Sequence, residues 1–267
     1  MKKLFLTIAL CVFAGTFSSA REVFADDYIF QKQLIAQGKN YQEQCQTFRI
    51  HQNWFITAAH CVDRCKKDAT CQVKILLAHG PVNAWVPIDR REIFVPKQYR
   101  PVEATPSQTI PKSWDVALIH HQPGEEETPE QTIPVLYVHG GYGLMDLNLE
   151  GNDVEVPWWE NGKMQLFTGS KKVLYFGGKQ SMWSSCGFGL NPGNSGGAVT
   201  LKNGGIIGVV TATVPAGLAA KELKEFPCYR TEESFLFNGF APKTTLKFIE
   251  KTMSRYGDGP TVERFGM

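Results

Sequence analysis

The sequence predicts an all-β body in two halves, closed by one C-terminal helix. Three observations carry that prediction. Short runs of β-favouring residues recur between turn residues along most of the chain, a stretch rich in Pro, Gly and Glu divides it near its middle, and only close to the end does the apolar spacing become helical. At 267 residues the chain suits one large domain or two small ones, and 43% hydrophobic with 20% charged residues is ordinary globular composition. Collagen, coiled coil and wholesale disorder are excluded.

The first twenty residues read as an export signal. Lys2 and Lys3 precede an apolar run from Leu4 to Phe17, broken only by Thr7, Gly15 and Thr16, and Ser18-Ser19-Ala20 supplies small residues for cleavage. Cleavage after Ala25 in Val23-Phe24-Ala25 also fits, so the signal is 1–20 or 1–25. The run falls short of the roughly 18 apolar residues that cross a membrane, so no span is expected once the signal is removed. The brevity of the signal and its Met1-Lys2-Lys3 start have a bacterial character, and the mature protein is expected to be periplasmic or secreted. Cys11 follows bulky Leu10 inside the removed segment and reads as a lost residue, not a lipid attachment point. Removal of residues 1–20 takes away two lysines and no acid, leaving 26 basic against 26 acidic residues, so no nucleic-acid partner is expected.

Residues 26–121 form the first half. Its strands are read at Phe48–Ile50, Trp54–Thr57, Val73–Ala78, Ile93–Val95 and Val116–His120. The linker, 122–134, holds Pro123, Gly124, Pro129 and Pro134 around Glu125-Glu126-Glu127; the prolines deny helix and strand continuation, and the acids read as a solvated face. Residues 135–241 form the second half, with strands at Val135–His139, Val173–Phe176, Ala198–Leu201 and Ile206–Thr213. After Pro242, residues Leu246, Phe248, Ile249 and Met253 recur at helical spacing, which places the helix over 242–255. The tail, 256–267, carries Gly257, Gly259 and Pro260 and is expected to fray.

Six cysteines survive processing: Cys45, Cys61, Cys65, Cys71, Cys186 and Cys228. An even count in an oxidising compartment favours three disulfides, and spacing alone leaves every pairing open. The alternative is a zinc site on Cys61, Cys65 and Cys71. Trp158-Trp159 reads as core or strand packing, and His79, His120 and His121 show no ligand spacing with a third group, so they read as structural.

Three clusters carry chemistry. In Thr57-Ala58-Ala59-His60-Cys61 a histidine follows a short apolar strand, with small alanines allowing close packing around it. In Trp114-Asp115-Val116-Ala117-Leu118-Ile119 a carboxylate opens an apolar strand. In Gly193-Asn194-Ser195-Gly196-Gly197 a serine sits in a glycine-rich turn leading into a buried strand. Glycines there permit positive φ and let a substrate backbone approach closely, as a nucleophilic serine requires if nearby N–H groups are to meet the same reacting oxygen. Each cluster alone has a plain structural reading: a histidine beside a disulfide, a solvated strand end, a tight turn.

Together, in the order His60, Asp115, Ser195, they resemble the chymotrypsin-like (trypsin-like) serine peptidases. Thr57 to Cys61 fits that family's Thr-Ala-Ala-His-Cys, Asp115-Val116-Ala117-Leu118 fits its Asp-Ile-Ala-Leu, and Ser195 fits its Gly-X-Ser-Gly-Gly. The resemblance covers most of residues 28–255. It implies two six-stranded antiparallel β-barrels with a terminal helix, a catalytic triad of His60, Asp115 and Ser195, and an oxyanion hole made by the N–H groups of Gly193 and Ser195. It further implies a Cys45–Cys61 disulfide around the histidine loop, a primary pocket with Gly189 at its floor and Thr211 and Thr213 on its wall, and a second barrel opened by the strand in Val135–Gly143. Cys65 is paired with Cys71 by proximity and Cys186 with Cys228 across the pocket.

The implied function is an exported serine endopeptidase acting on protein or peptide substrates, monomeric, with no metal or cofactor. Gly189 offers no carboxylate, so uncharged or small apolar residues are expected before the scissile bond. Asn194 stands where activated relatives carry an aspartate that pairs with a new N-terminal ammonium, so activity is expected without such insertion. The alternative is a catalytically silent homologue serving as a secreted binding or adhesion module.

Overall fold

The computed structural model describes residues 21–22, 30–79, 82–100, 114–124, 127, 134–139, 146–148, 154–160, 163–168, 172–176, 182–186, 190–201, 205–214, 234–240 and 244–265. The expected signal segment 1–20, most of the linker, Gly189 and Cys228 lie outside these residues. Among them no helix is long and apolar enough to cross a membrane.

The strands, in chain order, are β1 (Arg21–Glu22), β2 (Gln31–Gln37), β3 (Gln42–His51), β4 (Trp54–Thr57), β5 (Gln72–His79), β6 (Val82–Ile88), β7 (Ile93–Phe94), β8 (Ala117–His120), β9 (Leu136–His139), β10 (Asp146–Asn148), β11 (Val154–Glu160), β12 (Lys163–Thr168), β13 (Lys172–Phe176), β14 (Met182–Cys186), β15 (Ala198–Leu201), β16 (Ile206–Val214), β17 (Ser234–Gly239) and β18 (Val262–Phe265). Among the described residues two α-helices accompany them, α1 (Asp63–Lys67) and α2 (Thr245–Met253). The strands form two curled sheets: β6-β5-β2-β3-β4-β8-β7, antiparallel throughout, and β1-β12-β11-β15-β16-β17-β14-β13-β10, with β9 and β18 attached beside β16. This is the expected all-β double-barrel plan with its C-terminal helix.

Alternation along the strands sorts the apolar residues into three cores. One face of the first sheet, with Leu34, Phe55, Val73, Ile75, Ala117 and Ile119, fills the first barrel. The opposite faces of β3, β4 and β8 carry Phe48, Ile50, Trp54, Ile56 and Leu118, which meet Ala198, Ile206 and Val209 of the second sheet and Leu246, Ile249 and Met253 of α2. Val156, Trp158, Phe167, Val199, Phe235 and Phe237 fill the second barrel. Because β4 and β8 are covered on both faces, all four residues of each are buried, and this is why they read as unbroken apolar runs. Trp158 stacks on Phe167 with ring centroids 3.7 Å apart, in line with its reading as packing.

β9 is the first strand after the linker and joins the second sheet as expected, but it lies parallel to β16 and β18, while β11 and β12 form an antiparallel hairpin. Two expectations are corrected. The tail does not fray through its length. Helix α2 runs into a 3-10 turn at Ser254–Tyr256, Gly257 takes a left-handed φ of 81°, and Asp258 Oδ2 accepts a 2.7 Å hydrogen bond from Trp54 Nε1 before β18 covers β9. The edge of β9 would otherwise lie open, and the indole N–H would be buried unpaired, so both sides gain from the docking. Nor is Glu127 solvated: it is buried, with its Oε1 2.6 Å from His121 Nε2 and its Oε2 3.8 Å from Arg49 Nη2. One acid of the expected linker therefore anchors the chain between halves.

Trp54 joins the inter-sheet core to the tail, so Trp54→Ala removes a fully buried side chain and the indole N–H that Asp258 Oδ2 accepts from. We expect it to cost about 3–5 kcal/mol of unfolding free energy, measured by denaturant titration.

Candidate functional site

Each of the three sequence clusters is fixed by a different piece of backbone, and the core shared between the two sheets brings those pieces together. His60 lies in a 3-10 turn, Ala59–Cys61, directly after the buried strand β4. The disulfide from Cys61 to Cys45, with Cα atoms 6.2 Å apart, ties that turn to β3. Closing a loop of sixteen residues should stabilise the fold by roughly 3 kcal/mol on the chain-entropy model. The second pair, Cys65–Cys71, also forms, so the thiols of the zinc alternative are consumed. The Cys186 side chain lies outside the described residues, as Cys228 does.

Asp115 sits just before β8, preceded by Trp114 at a φ of 78°. A left-handed backbone is costly for a bulky residue, of order 1–3 kcal/mol, and here Trp114 is held by packing against the first core while Val116 N–H donates across the turn to Trp114 O at 2.8 Å. The turn aims a nearly buried carboxylate at His60. Asp115 Oδ2 lies 2.8 Å from His60 Nδ1, and Oδ1 accepts from the His60 backbone N–H at 2.9 Å. Two bonds to one residue set both the ring's position and its orientation. From the second sheet, Asn238 Nδ2 donates to the Asp115 carbonyl at 3.1 Å.

Burial disfavours the imidazolium of His60, yet the charge and hydrogen bond of Asp115, joined by the charge of Glu43, outweigh it and hold the His60 pKa above its ordinary 6.5. Nearby, burial reinforced by the Asp115 charge pushes the Tyr99 hydroxyl well above its usual range, so it stays protonated.

Ser195 lies in the turn between Leu190 and β15. Gly193 and Gly196 have φ of 102° and 84°, which only glycine adopts without strain. Gly196 has a second reason: a Cβ there would collide with the carbonyl oxygen of Gln46 and with Thr57 Oγ1. The Ser195 carbonyl accepts from Gln46 N–H at 2.7 Å and lies 3.8 Å from Cys61 Sγ, which in turn is 3.7 Å from His60 Nε2. One sulfur thus stands within 4 Å of both segments. Among the described residues no hydrogen bond joins Ser195 Oγ to His60 Nε2. The N–H groups of Asn194, Gly196 and Gly197 are each used within the protein, at 3.1, 2.8 and 3.1 Å. Those of Gly193 and Ser195 meet no protein acceptor among the described residues.

Of the expected pocket, Thr211 is buried in β16 at the point where the register with β17 slips between Val210 and Ala212, a bulge of the kind that re-aims a side chain beside a site. Thr213 pairs with Phe235, and its side chain is outside the described residues. On the disulfide side, a groove of about 340 Å³ runs away from Gly193 past Gln44, Cys45, Trp85, Trp159 and Pro192, and none of its lining residues is charged.

The sequence reading missed the amides of Gln31, Gln46 and Asn238, which lie buried where the sheets meet. Asn238 alone of these stands out, as a polar residue in an apolar strand, while Gln31 and Gln46 lie among other polar residues of β2 and β3.

The trypsin family profile matches residues 21–222. The chain belongs to the trypsin family. Its fold is similar to that of HL collagenase, at a TM-score of 0.55 and 17% identity over 88% of this chain and 97% of that one. It is also similar to the scabies mite inactivated protease paralogue S-I1, at a TM-score of 0.57 and 12% identity over 88% of this chain and 99% of the other. Identities this low establish the shared double barrel alone.

In this trypsin-family chain a raised His60 pKa has a definite linkage. The stabilisation from the charged pair is fully present below the unfolded-state value near 6.5 and is lost as pH rises through the higher folded value. Imidazole NMR titration should give a His60 midpoint above 6.5, and Asp115→Asn should lower it.

Proposed function

We propose that the protein is an exported serine endopeptidase that hydrolyses peptide bonds through an acyl-enzyme. The observation that carries the reading is the doubly hydrogen-bonded His60–Asp115 pair facing a glycine turn in which the N–H groups of Asn194, Gly196 and Gly197 are consumed and those of Gly193 and Ser195 meet no acceptor among the described residues. Ser195 Oγ attacks the acyl carbon as His60 Nε2 takes its proton; the oxyanion forms against the two free N–H groups. His60 then gives the proton to the departing amine, and water repeats the sequence to release the acid. Asp115 holds the tautomer with the Nδ1 proton inward and stabilises the imidazolium. A bond between Ser195 Oγ and Nε2 that closes on substrate binding accords with the looser geometry common in free enzymes.

The groove beyond Gly193 can take the leaving segment of an extended peptide, and Thr211 with Thr213 and Gly189 would line the side before the scissile bond, favouring uncharged residues. The disulfides at Cys45–Cys61 and Cys65–Cys71 support an oxidising location. The silent-homologue reading has a precedent in fold, since the scabies mite paralogue is an inactivated protease. The intact pair and the free N–H groups favour catalysis.

A fluorophosphonate probe should label the disulfide-intact protein at Ser195, located by mass spectrometry, with labelling lost in Ser195→Ala and His60→Ala. Asp115→Asn should lower kcat by roughly 10⁴-fold through the wrong tautomer. The acid limb of kcat/KM should fall above pH 6.5, because a raised His60 pKa keeps the base protonated to higher pH. Folded wild-type protein that stays unlabelled sinks the reading in favour of a silent binding module.

A further inference from the structure

We infer that Gln46 is a positioning residue for the oxyanion-binding turn, holding from the first sheet the peptide planes that fix the Gly193 and Ser195 N–H groups. The inference rests on the serine peptidase reading and adds the device that keeps its turn assembled.

The geometry is specific. Gln46 is a β3 residue that reaches the nucleophile turn with both its backbone and its side chain. Its N–H donates to the Ser195 carbonyl at 2.7 Å, and its Nε2 donates to the Gly193 carbonyl at 3.2 Å. One residue therefore holds the carbonyls on either side of Asn194. The peptide plane after Gly193 is fixed at both ends, its oxygen by Gln46 and its N–H by the Asn191 carbonyl at 3.1 Å. The next plane, which carries the Ser195 N–H, is fixed through its oxygen by Gly197 N–H at 3.1 Å. Gly193 stands at a φ of 102° with no Cβ to resist rotation, so without an external hold its flanking planes could turn and withdraw the free donor.

The amide is itself held in place. Its Oε1 accepts from Trp159 N–H at 3.2 Å and from Gln31 Nε2 at 3.4 Å, and its Nε2 also lies 3.4 Å from the Trp159 carbonyl. Those partners fix which end of the amide faces Gly193, since only the NH₂ can donate to a carbonyl. Asn194 supplies no such hold: it is buried, its Oδ1 has no hydrogen-bond partner, and it carries no charge to attract a chain terminus.

The test compares Gln46→Met, which keeps the shape and loses the amide, with Gln46→Glu, which keeps the acceptor and loses the donor to Gly193. Thr47→Val serves as the control that removes a buried hydrogen bond of the same strand, to the Ile56 carbonyl at 2.7 Å, without touching the turn or the Gln46 amide. Active sites are counted with the fluorophosphonate probe so that misfolded protein drops out of the rate. We expect kcat per active site to fall at least tenfold in both Gln46 variants with KM within about twofold. Affinity for a peptide aldehyde, whose adduct places an oxyanion in the same site, should weaken by a matching factor. Thr47→Val should lower Tm and leave kcat per site within about threefold. If either folded Gln46 variant keeps its kcat per site and its aldehyde affinity, Gln46 is only structural and the inference is overturned. If the wild type neither labels nor turns over, the peptidase reading falls and takes this inference with it, a result distinct from a working wild type with unaffected variants.

Discussion

Everything in this molecule depends on the two-sided burial of β3, β4 and β8. A sheet with one dry face needs only its own barrel; these strands present a second apolar face to the other half of the chain, and that shared core fixes the relation of the halves. Apolar packing is non-directional, so it sets proximity but not register. Register across the seam comes from amides. Gln31 accepts from Ala198 N–H at 3.1 Å and receives the Trp159 indole N–H on its backbone carbonyl at 2.8 Å, and Gln46 meets the turn that holds Ser195. A buried amide left without partners costs about 1–3 kcal/mol, so a slipped seam is penalised at each of these groups.

The site inherits this arrangement. His60 and the Asp115 turn come from the first sheet, and Ser195 comes from the second, so no one half holds the whole constellation. The Cys45–Cys61 disulfide lies where the two meet, its Cys61 sulfur within 4 Å of both His60 Nε2 and the Ser195 carbonyl. A strained backbone residue stands at the same place. Trp114 is the non-glycine residue with positive φ among the described residues, and it directly precedes Asp115. Core packing around the indole offsets that cost and yields a carboxylate that reaches the backbone and the ring of His60 together.

What can be read from the amino-acid sequence depends on how local each signal is. The His60, Asp115 and Ser195 clusters are contiguous motifs, so each is visible locally, but each alone has a plain structural reading and only their order and the family resemblance join them. The helix is legible from Leu246, Ile249 and Met253 because one apolar face at helical spacing is a local pattern; its start at Thr245 is less so. Long-range pairings are not legible. Glu127 reads as solvated among three acids because nothing near it in sequence announces Arg49 and His121, and the glycine-rich tail reads as mobile because Trp54, to which Asp258 binds, lies about two hundred residues away. Gln46 gives no sign for the same reason: its role exists only in the seam.

The choice of neutral amides at the seam has an electrostatic consequence. Holding the nucleophile turn with a buried ammonium and carboxylate would require removing two charges from water, at several kcal/mol each before their attraction repays it, and would tie the turn to a processed chain end and to pH. Gln46 and Asn194 carry no proton that titrates. The hydrogen bonds of Gln46, each of about 0.5–1.5 kcal/mol net, persist across the pH range over which His60 changes charge. The turn and the base are therefore uncoupled: acid alters the protonation of His60 without loosening the donors that face the reacting oxygen. In the proposed mechanism this leaves one titration, that of the His60 imidazole beside Asp115, to govern the acid limb, and it makes the shape of that limb a direct report on the pair.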